Sequence, residues 1–518
     1  MKSTQQRILF LIILFSVFAV GKTAWDRFSV PCYRCNVVVV AIDDLRADAL
    51  PCFGYRLDTA SNLCQYAAKN IVFSAAYANA PSTKPSEMSL FTSLYPPSHG
   101  LVSSASGKLN PRIVTLPQAF QNAGYETTFV GEDTPALAPE AGFGRGFDTV
   151  HITDNILNST TSAIWKDAFD GIKTANDKHK PAFVYLHAAH VHDYANNLFK
   201  FTEPGSFYLD PTYQFTDYPS QQEFTQLKWD AMMDFINNTI NTSWNAEVVA
   251  QYKTWLRLAE NAQTVDEAKS VYLSLPANMQ RPIYHLFAAT YVNLYQFDSL
   301  VSLARHNYDQ SIWAFDNKFT PLLERLRQNG LTDNTVVVIL GDYGELLGEH
   351  NVVGHALAGF YEKELHVPMI WHVPNAGHRT VSSLAQLIDV YPTLVNLVGI
   401  PKPDTLAGIN LRGQMFGDPR APKNTYTIGY LIPHDISYAT QIPFTSNQYS
   451  IQTDAWRLVE VHNPGGTYQT LYDRKTDPGE LHNMIVKAPD VAQTLSSLLH
   501  TTLDRQIIYP PILPAISP

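Results

Sequence analysis

Three apolar, β-branched runs in this 518-residue chain each stop on side chains able to hold a cation or move a proton. Asn36-Val-Val-Val-Val-Ala-Ile42 runs into Asp43-Asp44, and Thr335-Val-Val-Val-Ile-Leu-Gly341 runs into Asp342. Pro181-Ala-Phe-Val-Tyr-Leu-His187 is followed by His190 and His192. Such runs read as strands buried on both faces of an α/β sheet, and open sheets of this kind place ligands beyond the C-terminal ends of their strands. Asp43, Asp44 and Asp342 are therefore the expected oxygen ligands of one divalent metal ion. Hard carboxylate oxygens favour calcium, magnesium or manganese, while an imidazole in the shell admits zinc. Thr83 stands just before Pro85-Ser86, which opens a helix whose N-terminus suits an anion. A metal beside a hydroxyl lowers its pKa, so Thr83 is a candidate to complete the metal shell and to act there as an alkoxide nucleophile.

Helices must alternate with these strands to cover both faces of the sheet. Helical patterns fall at Ser61 to Lys69, Leu116 to Ala123 and Tyr308 to Gln328, the last ending on the stop signal Asn329-Gly330. The fold class is α/β, an α/β/α sandwich with a central mixed sheet. Residues 196–305 are aromatic-rich and weakly charged, with helical stretches at Ala246 to Ala262 and Pro282 to Leu303, and read as a helical insertion in a catalytic domain spanning 36–400. From 401 to 518 the text turns strand-like, at Thr425 to Leu431, Gln448 to Val461 and Thr467 to Tyr472. The turn signal Asn463-Pro464-Gly465-Gly466 separates the last two, so a small C-terminal antiparallel sheet is expected.

Composition limits the partners. Hydrophobic residues at 45% and charged residues at 16% give a chain that folds, and a net charge of −10 leaves no basic footprint for nucleic acid. Composition says nothing of small-molecule partners or of oligomeric state. Lys2 and Arg7 precede an apolar run from Ile8 to Val20, too short for a typical membrane span but suited to a secretory signal, so residues 1–24 are read as a signal peptide and the chain as exported. A retained membrane anchor is the competing expectation. Cys32, Cys35, Cys52 and Cys64 are an even set suited to disulfides in an exported chain, with connectivity left open.

The stretch Thr83-Lys84-Pro85-Ser86, followed by Thr92-Ser93-Leu94-Tyr95-Pro96 and Ser98-His99-Gly100, resembles the nucleophile segment of the sulfatase family, a branch of the alkaline phosphatase superfamily. Asp43-Asp44-Leu45-Arg46-Ala47-Asp48, Gly341-Asp342-Tyr343-Gly344-Glu345 and Leu471-Tyr472-Asp473-Arg474 to Asn483 are similar to three further family segments, in the family's order. The resemblance implies an ester hydrolase in which His192 holds the substrate or protonates the leaving group, and His355 contacts the ester. Lys84 and His350 are the added substrate-binding candidates. Sulfatases convert Cys or Ser at the nucleophile position to formylglycine. Thr83 is not a substrate for that conversion, so no formylglycine is expected, and Thr-type members of the superfamily act on phosphoesters, phosphodiesters or phosphonates.

Two residues depart from the pattern. Glu87 replaces an Arg and adds negative charge unless Lys84 offsets it, and Tyr343 replaces an Asn or His metal ligand, for which His350 or His355 would substitute. They keep alive a catalytically weakened protein that binds an anionic ligand through the same cleft; an envelope phosphotransferase is a third reading. Structural roles are expected for His99, as a turn cap, and for an Arg46–Asp48 ion pair.

Overall fold

The computed structural model describes residues 31–518 apart from 104–106, 133–136, 154–161, 193–249, 251–253, 255–296, 352, 356–359, 432–446, 464–465 and 510–518. The N-terminal apolar run and most of the 196–305 insertion lie outside the described residues.

The three apolar runs become neighbouring strands: β1 (Asn36–Ile42), β5 (Ala182–Ala188) and β6 (Thr335–Gly341). All three are buried along their whole length, and β1 lies parallel between the other two. The sheet extends from β5 through β3 (Glu126–Glu132) to β4 (Thr149–Thr153). On the other side β6 pairs with β9 (His366–His372), which leads to β2 (Ile71–Tyr77) and the short edge strands β10 (Arg379–Val381) and β11 (Ala385–Gln386). The nine-stranded sheet is mixed because β9 runs antiparallel to both β6 and β2.

Alternation along the strands sends successive residues of β1 to two different cores. Val38, Val40 and Ile42 pack with Ile164, Trp165 and Ile172 of α4 (Ser162–Asp177) and with Tyr308, Ile312 and Phe315 of α5 (Phe297–Gln328). Leu63 of α1 (Ser61–Ala67) joins the same face. Val37, Val39 and Ala41 face α2 (Thr83–Thr92), α3 (Leu116–Asn122) and α6 (Val390–Val398) through Met88, Leu116, Phe120 and Leu394. This is the expected α/β/α sandwich. Helix α3 starts on a capping box, in which the Gln118 backbone N–H donates to Thr115 Oγ1 at 3.4 Å and the Thr115 N–H donates to Gln118 Oε1 at 3.1 Å.

Two boundaries differ from the sequence reading. Helix α5 begins at Phe297, so it crosses the boundary placed at 305 and starts earlier than Tyr308; the helical text at the end of the supposed insertion continues without a break into a core helix. Gln448 to Val461 is two strands, β13 (Asn447–Gln452) and β14 (Trp456–Asn463). They are folded back where Thr453 accepts from Trp456 N–H through its side chain and donates its own N–H to Trp456 O. With β12 (Thr427–Leu431) and β15 (Gly466–Asp473) they form the four-stranded antiparallel sheet, covered by α7 (Pro489–Asp504) through Ile451, Leu458, Leu471, Leu495 and Leu499. Leu346–Leu347 and Val353–Gly354 make a separate two-stranded ribbon, β7 and β8, beside the site.

The cysteines pair as Cys32–Cys35 and Cys52–Cys64, resolving the connectivity that the sequence left open. Among the described residues no helix is long and apolar enough to cross a membrane.

Candidate functional site

The C-terminal ends of β1, β5 and β6 meet the N-terminus of α2. Asp43 follows β1 directly; Asp44 then turns the chain with a left-handed φ of 67°. This conformation costs an ordinary side chain energy and marks a constrained position. Its backbone N–H donates to Asp342 Oδ1 at 3.1 Å, and Tyr343 N–H donates to the same oxygen at 2.9 Å. The approach of the two loops explains Gly341: a Cβ there would sit 2.4 Å from the carbonyl oxygen of Leu45. Helix α2 is buried on all sides, so its polar residues must find partners within the protein. Ser86 Oγ donates to Asp342 O at 2.5 Å and ties the helix to the β6 loop.

Thr83 lies at the first position of α2. Its Oγ1 is 3.4 Å from Asp43 Oδ1 and 3.4 Å from the Tyr343 hydroxyl. Lys84 is buried at the next position of the same helix. Glu87, one turn on, is fully enclosed, accepts a hydrogen bond from the Tyr185 hydroxyl and lies 3.7 Å from His187 Nε2. His187 Nε2 is also 3.7 Å from Asp342 Oδ2. Burial pushes the Glu87 carboxyl up to about 8, against the pull of His187 and with help from Asp342. A carboxyl raised in this way weakens the extra negative charge expected from its sequence position.

A second group surrounds Asp44. His355 Nδ1 is 3.0 Å from Glu345 Oε2, its ring lies 4.7 Å from that of Tyr343, and the His192 ring is 5.5 Å away. Burial opposes the charge on His355, but Glu345 outweighs it and lifts the imidazole to about 9. Burial pushes His192 the other way, below its ordinary value, although Asp43 partly opposes this. The phenol of Tyr343 is held well above its usual range by burial and by Asp43, Asp44 and Asp342. It is a neutral hydroxyl and a poor charge partner.

Five carboxylates thus share one interior. Burial raises Asp44 and Asp342 well above the carboxylate range, with Glu345 adding to Asp44 and Asp43 adding to both. Among the described residues, both oxygens of Asp44, Oδ2 of Asp342 and Oε1 of Glu87 are buried with no hydrogen-bond donor. Orphaned carboxylate oxygens inside a protein are costly, and a cation is the partner that satisfies several at once. Two donor trios are close enough to hold one: Asp43, His187 and Asp342, and Asp44, Glu345 and His355. The residues present therefore fit a divalent metal, and both trios mix carboxylate with imidazole.

The structure brings Thr83, Asp43, Asp44, Asp342, His192 and His355 together. It does not bring His350 into this group. That ring stacks on Tyr361 at 3.5 Å, with Glu349 and Asp477 as its charged neighbours. His187 and Glu345 were missed as site residues. The period of two in β5 carried a signal for the first, since Tyr185 and His187 share a face and both meet Glu87.

His99 caps its turn as expected. Its Nδ1 accepts from Leu101 N–H at 3.1 Å and its Nε2 lies 3.1 Å from Ser89 Oγ. Full burial pushes the imidazole down to about 3. Because the folded value lies below the unfolded value of about 6.5, stability is full above pH 6.5 and falls as the pH drops toward 3. Denaturant titrations at pH 6.5 and 5 are expected to show about 2 kcal/mol of loss from this residue, at about 1.4 kcal/mol per pH unit. A His99→Gln variant should lack that component; an unchanged slope in the variant would assign the acid sensitivity elsewhere. Arg46 and Asp48 also form their expected ion pair at 2.9 Å, and Lys363 reaches Asp48 at 2.6 Å.

The sulfatase family profile matches residues 35–400, and the profile of the C-terminal part of N-sulphoglucosamine sulphohydrolase matches 348–507. An N-acetylglucosamine-6-O-sulfatase of Bacteroides thetaiotaomicron is 23% identical over 92% of this chain and 87% of its own. Arylsulfatase K of Bos taurus is 30% identical over 183 residues, 35% of this chain and 33% of its own. A solved structure in complex with D-glucosamine-2-N,6-O-disulfate superposes with a TM-score of 0.64 and 21% identity, over 91% of this chain and 98% of the other. The phosphonate monoester hydrolase of Agrobacterium radiobacter superposes at 0.63 and 17%, over 91% and 96%. With a family profile spanning most of its length and the expected fold in place, the chain belongs to the sulfatase family of sulfuric and phosphoric ester hydrolases.

Proposed function

We propose that this protein hydrolyses anionic phosphoesters, phosphodiesters or phosphonates in preference to sulfate esters, using Thr83 as the nucleophile. The observation that carries the reading is Thr83 Oγ1 at a helix N-terminus, 3.4 Å from Asp43 within the buried carboxylate group. A divalent cation held by Asp43, Asp44, Asp342 and Thr83, with His187 as an added donor, would neutralise the ester oxygens and lower the pKa of a neighbouring hydroxyl. The buried N-terminus of α2 orients the anionic centre.

Thr83 Oγ1 attacks phosphorus in line, forming one P–O bond as the ester bond opposite breaks. The two imidazoles, 5.5 Å apart beside Tyr343, divide the proton work. His192 takes the Thr83 proton, and His355, paired with Glu345, delivers one to the leaving oxygen. Water then attacks phosphorus, giving a proton to His355, as the P–O bond to Thr83 breaks and His192 returns its proton to the Thr83 oxygen. General acid or base action of this type supports about 10²–10⁴ in rate. Lys84 adds positive charge at the same helix end.

Both disulfides, together with the apolar run at Ile8 to Val20, support export as the setting. The substrate class is a small ester or one carried on a glycan or lipid. Parallel assays on aryl phosphodiester, aryl phosphonate, aryl phosphate and aryl sulfate test the reading, with acid quench and mass spectrometry of the Thr83 peptide. The expected result is turnover of a phosphorus ester with a phosphorylated Thr83. Faster turnover of aryl sulfate without a Thr83 adduct would reverse the preference. Protein that takes up no divalent metal when metal is supplied, and stays inactive on all four esters, would favour the second reading, a ligand-binding protein whose Tyr343 hydroxyl occupies the nucleophile's hydrogen bond.

A further inference from the structure

Away from the cleft, three side chains of the C-terminal subdomain converge on one point. Glu460 and His462 are two apart on β14 and so share a face of the sheet. His500 reaches the same place from the last turns of α7. Glu460 is 1% exposed, and its Oε2 lies 3.1 Å from His462 Nε2 and 2.8 Å from His500 Nε2. Its other oxygen, Oε1, accepts from Gln469 Nε2 at 2.8 Å, which fixes the rotation of the carboxylate. The two imidazoles are 34% and 41% exposed, so the cluster is open to solvent on one side. Among the described residues the ion pairs of Glu460 are with these two histidines.

The geometry points to a second metal site here, holding a zinc-type divalent cation through Glu460, His462 and His500 with water in the open position. Two imidazole nitrogens and one carboxylate oxygen are a donor set suited to borderline metals and poor for calcium or magnesium. All three donor atoms lie within 4.8 Å of one another. A tetrahedral zinc shell places adjacent nitrogen and oxygen donors about 3.3 Å apart, so the trio needs to open by only a few tenths of an ångström. Gln469 acts as the outer partner that holds the ligating carboxylate in register. Binding displaces the Nε2 protons of both histidines onto Nδ1 or into solvent, and it clamps α7 to the sheet it covers. The site does not depend on the reading of Thr83, because it shares no residue with the cleft.

The alternative is a purely hydrogen-bonded trio, and one experiment separates the two. Full-length protein is stripped with chelator, reloaded with magnesium, and dialysed against graded zinc at pH 7.5, beside His462→Gln and His500→Gln. Glutamine keeps a donor toward Glu460 but removes the imidazole, and both variants retain the cleft, whose own zinc uptake cancels. Wild type is expected to retain one equivalent more than either variant, with at least tenfold tighter binding at that equivalent. In wild type alone, zinc should also shield His462 and His500 from diethyl pyrocarbonate, read peptide by peptide. Equal zinc content in the three proteins overturns the site, and so does unchanged modification of both histidines, a readout that needs no variant to fold.

Discussion

Replacing Thr83 with alanine is expected to lower kcat on the preferred ester by on the order of 10³-fold or more, because the attacking atom is gone and nothing else on α2 replaces it. Thr83→Ser, which keeps the hydroxyl, should retain measurable turnover and the covalent adduct. Stability should hardly change. Among the described residues the Thr83 hydroxyl makes two 3.4 Å contacts, to Asp43 and Tyr343, too long to contribute more than about 1 kcal/mol together. Steady-state rates and thermal unfolding of the same preparations check both halves. Turnover of Thr83→Ala within tenfold of wild type would remove Thr83 from the mechanism, even with the metal bound. A large loss of stability would instead mean that the hydroxyl supports the fold of the carboxylate group.

The largest expected effect on stability lies at Arg457, far from Thr83 in sequence and in role. Its side chain is fully buried, 2.5 Å from Glu362 Oε2 and 2.6 Å from Glu480 Oε1, and it donates to Phe360 O at 3.3 Å. Glu362 also pairs with Arg474 at 3.0 Å and accepts from the Tyr77 hydroxyl of β2 at 3.0 Å. This network joins the C-terminal sheet to the central sheet. Burial alone would raise the Glu362 carboxyl, but Arg457 and Arg474 hold it down at about 2. Its contribution is therefore present above about pH 4.5 and is lost as the pH falls toward 2.

Arg457→Ala leaves two buried carboxylates with one cation between them and is expected to cost about 3–5 kcal/mol, the usual consequence of breaking a buried pair. Arg457→Met combined with Glu480→Gln removes charge on both sides at similar volume and should recover much of that loss. Denaturant midpoints of the three proteins decide the matter. A loss below about 1 kcal/mol for Arg457→Ala would show that water enters and solvates the pair.

Much of the catalytic frame was legible because its signals are local. Asn36–Ile42 and Thr335–Gly341 match the strands residue for residue, since runs of valine and isoleucine suit only a strand buried on both faces. Asp43, Asp44 and Asp342 then had to emerge at one edge. Pro85-Ser86 marked the start of α2, and Thr83 came with it. Strand β9 carried no comparable signal. His366–His372 begins and ends on partly exposed histidines, and its antiparallel pairing depends on two strands that lie far from it in the chain.

Residue types, order and spacing alone determined the sulfatase-type segments, the mixed α/β sandwich, a threonine hydroxyl at the proposed nucleophile position and a carboxylate-rich centre. Whether Glu87 is a stray charge or an enclosed partner of Tyr185 and His187, and whether His350 or His355 stands by Tyr343, were decided only in three dimensions. So were the cysteine pairing and the convergence of His500 on Glu460. The physical reason is common to these cases. A side chain's charge state and partners depend on burial and on contacts from remote strands, whereas local periodicity reports only which way the backbone turns.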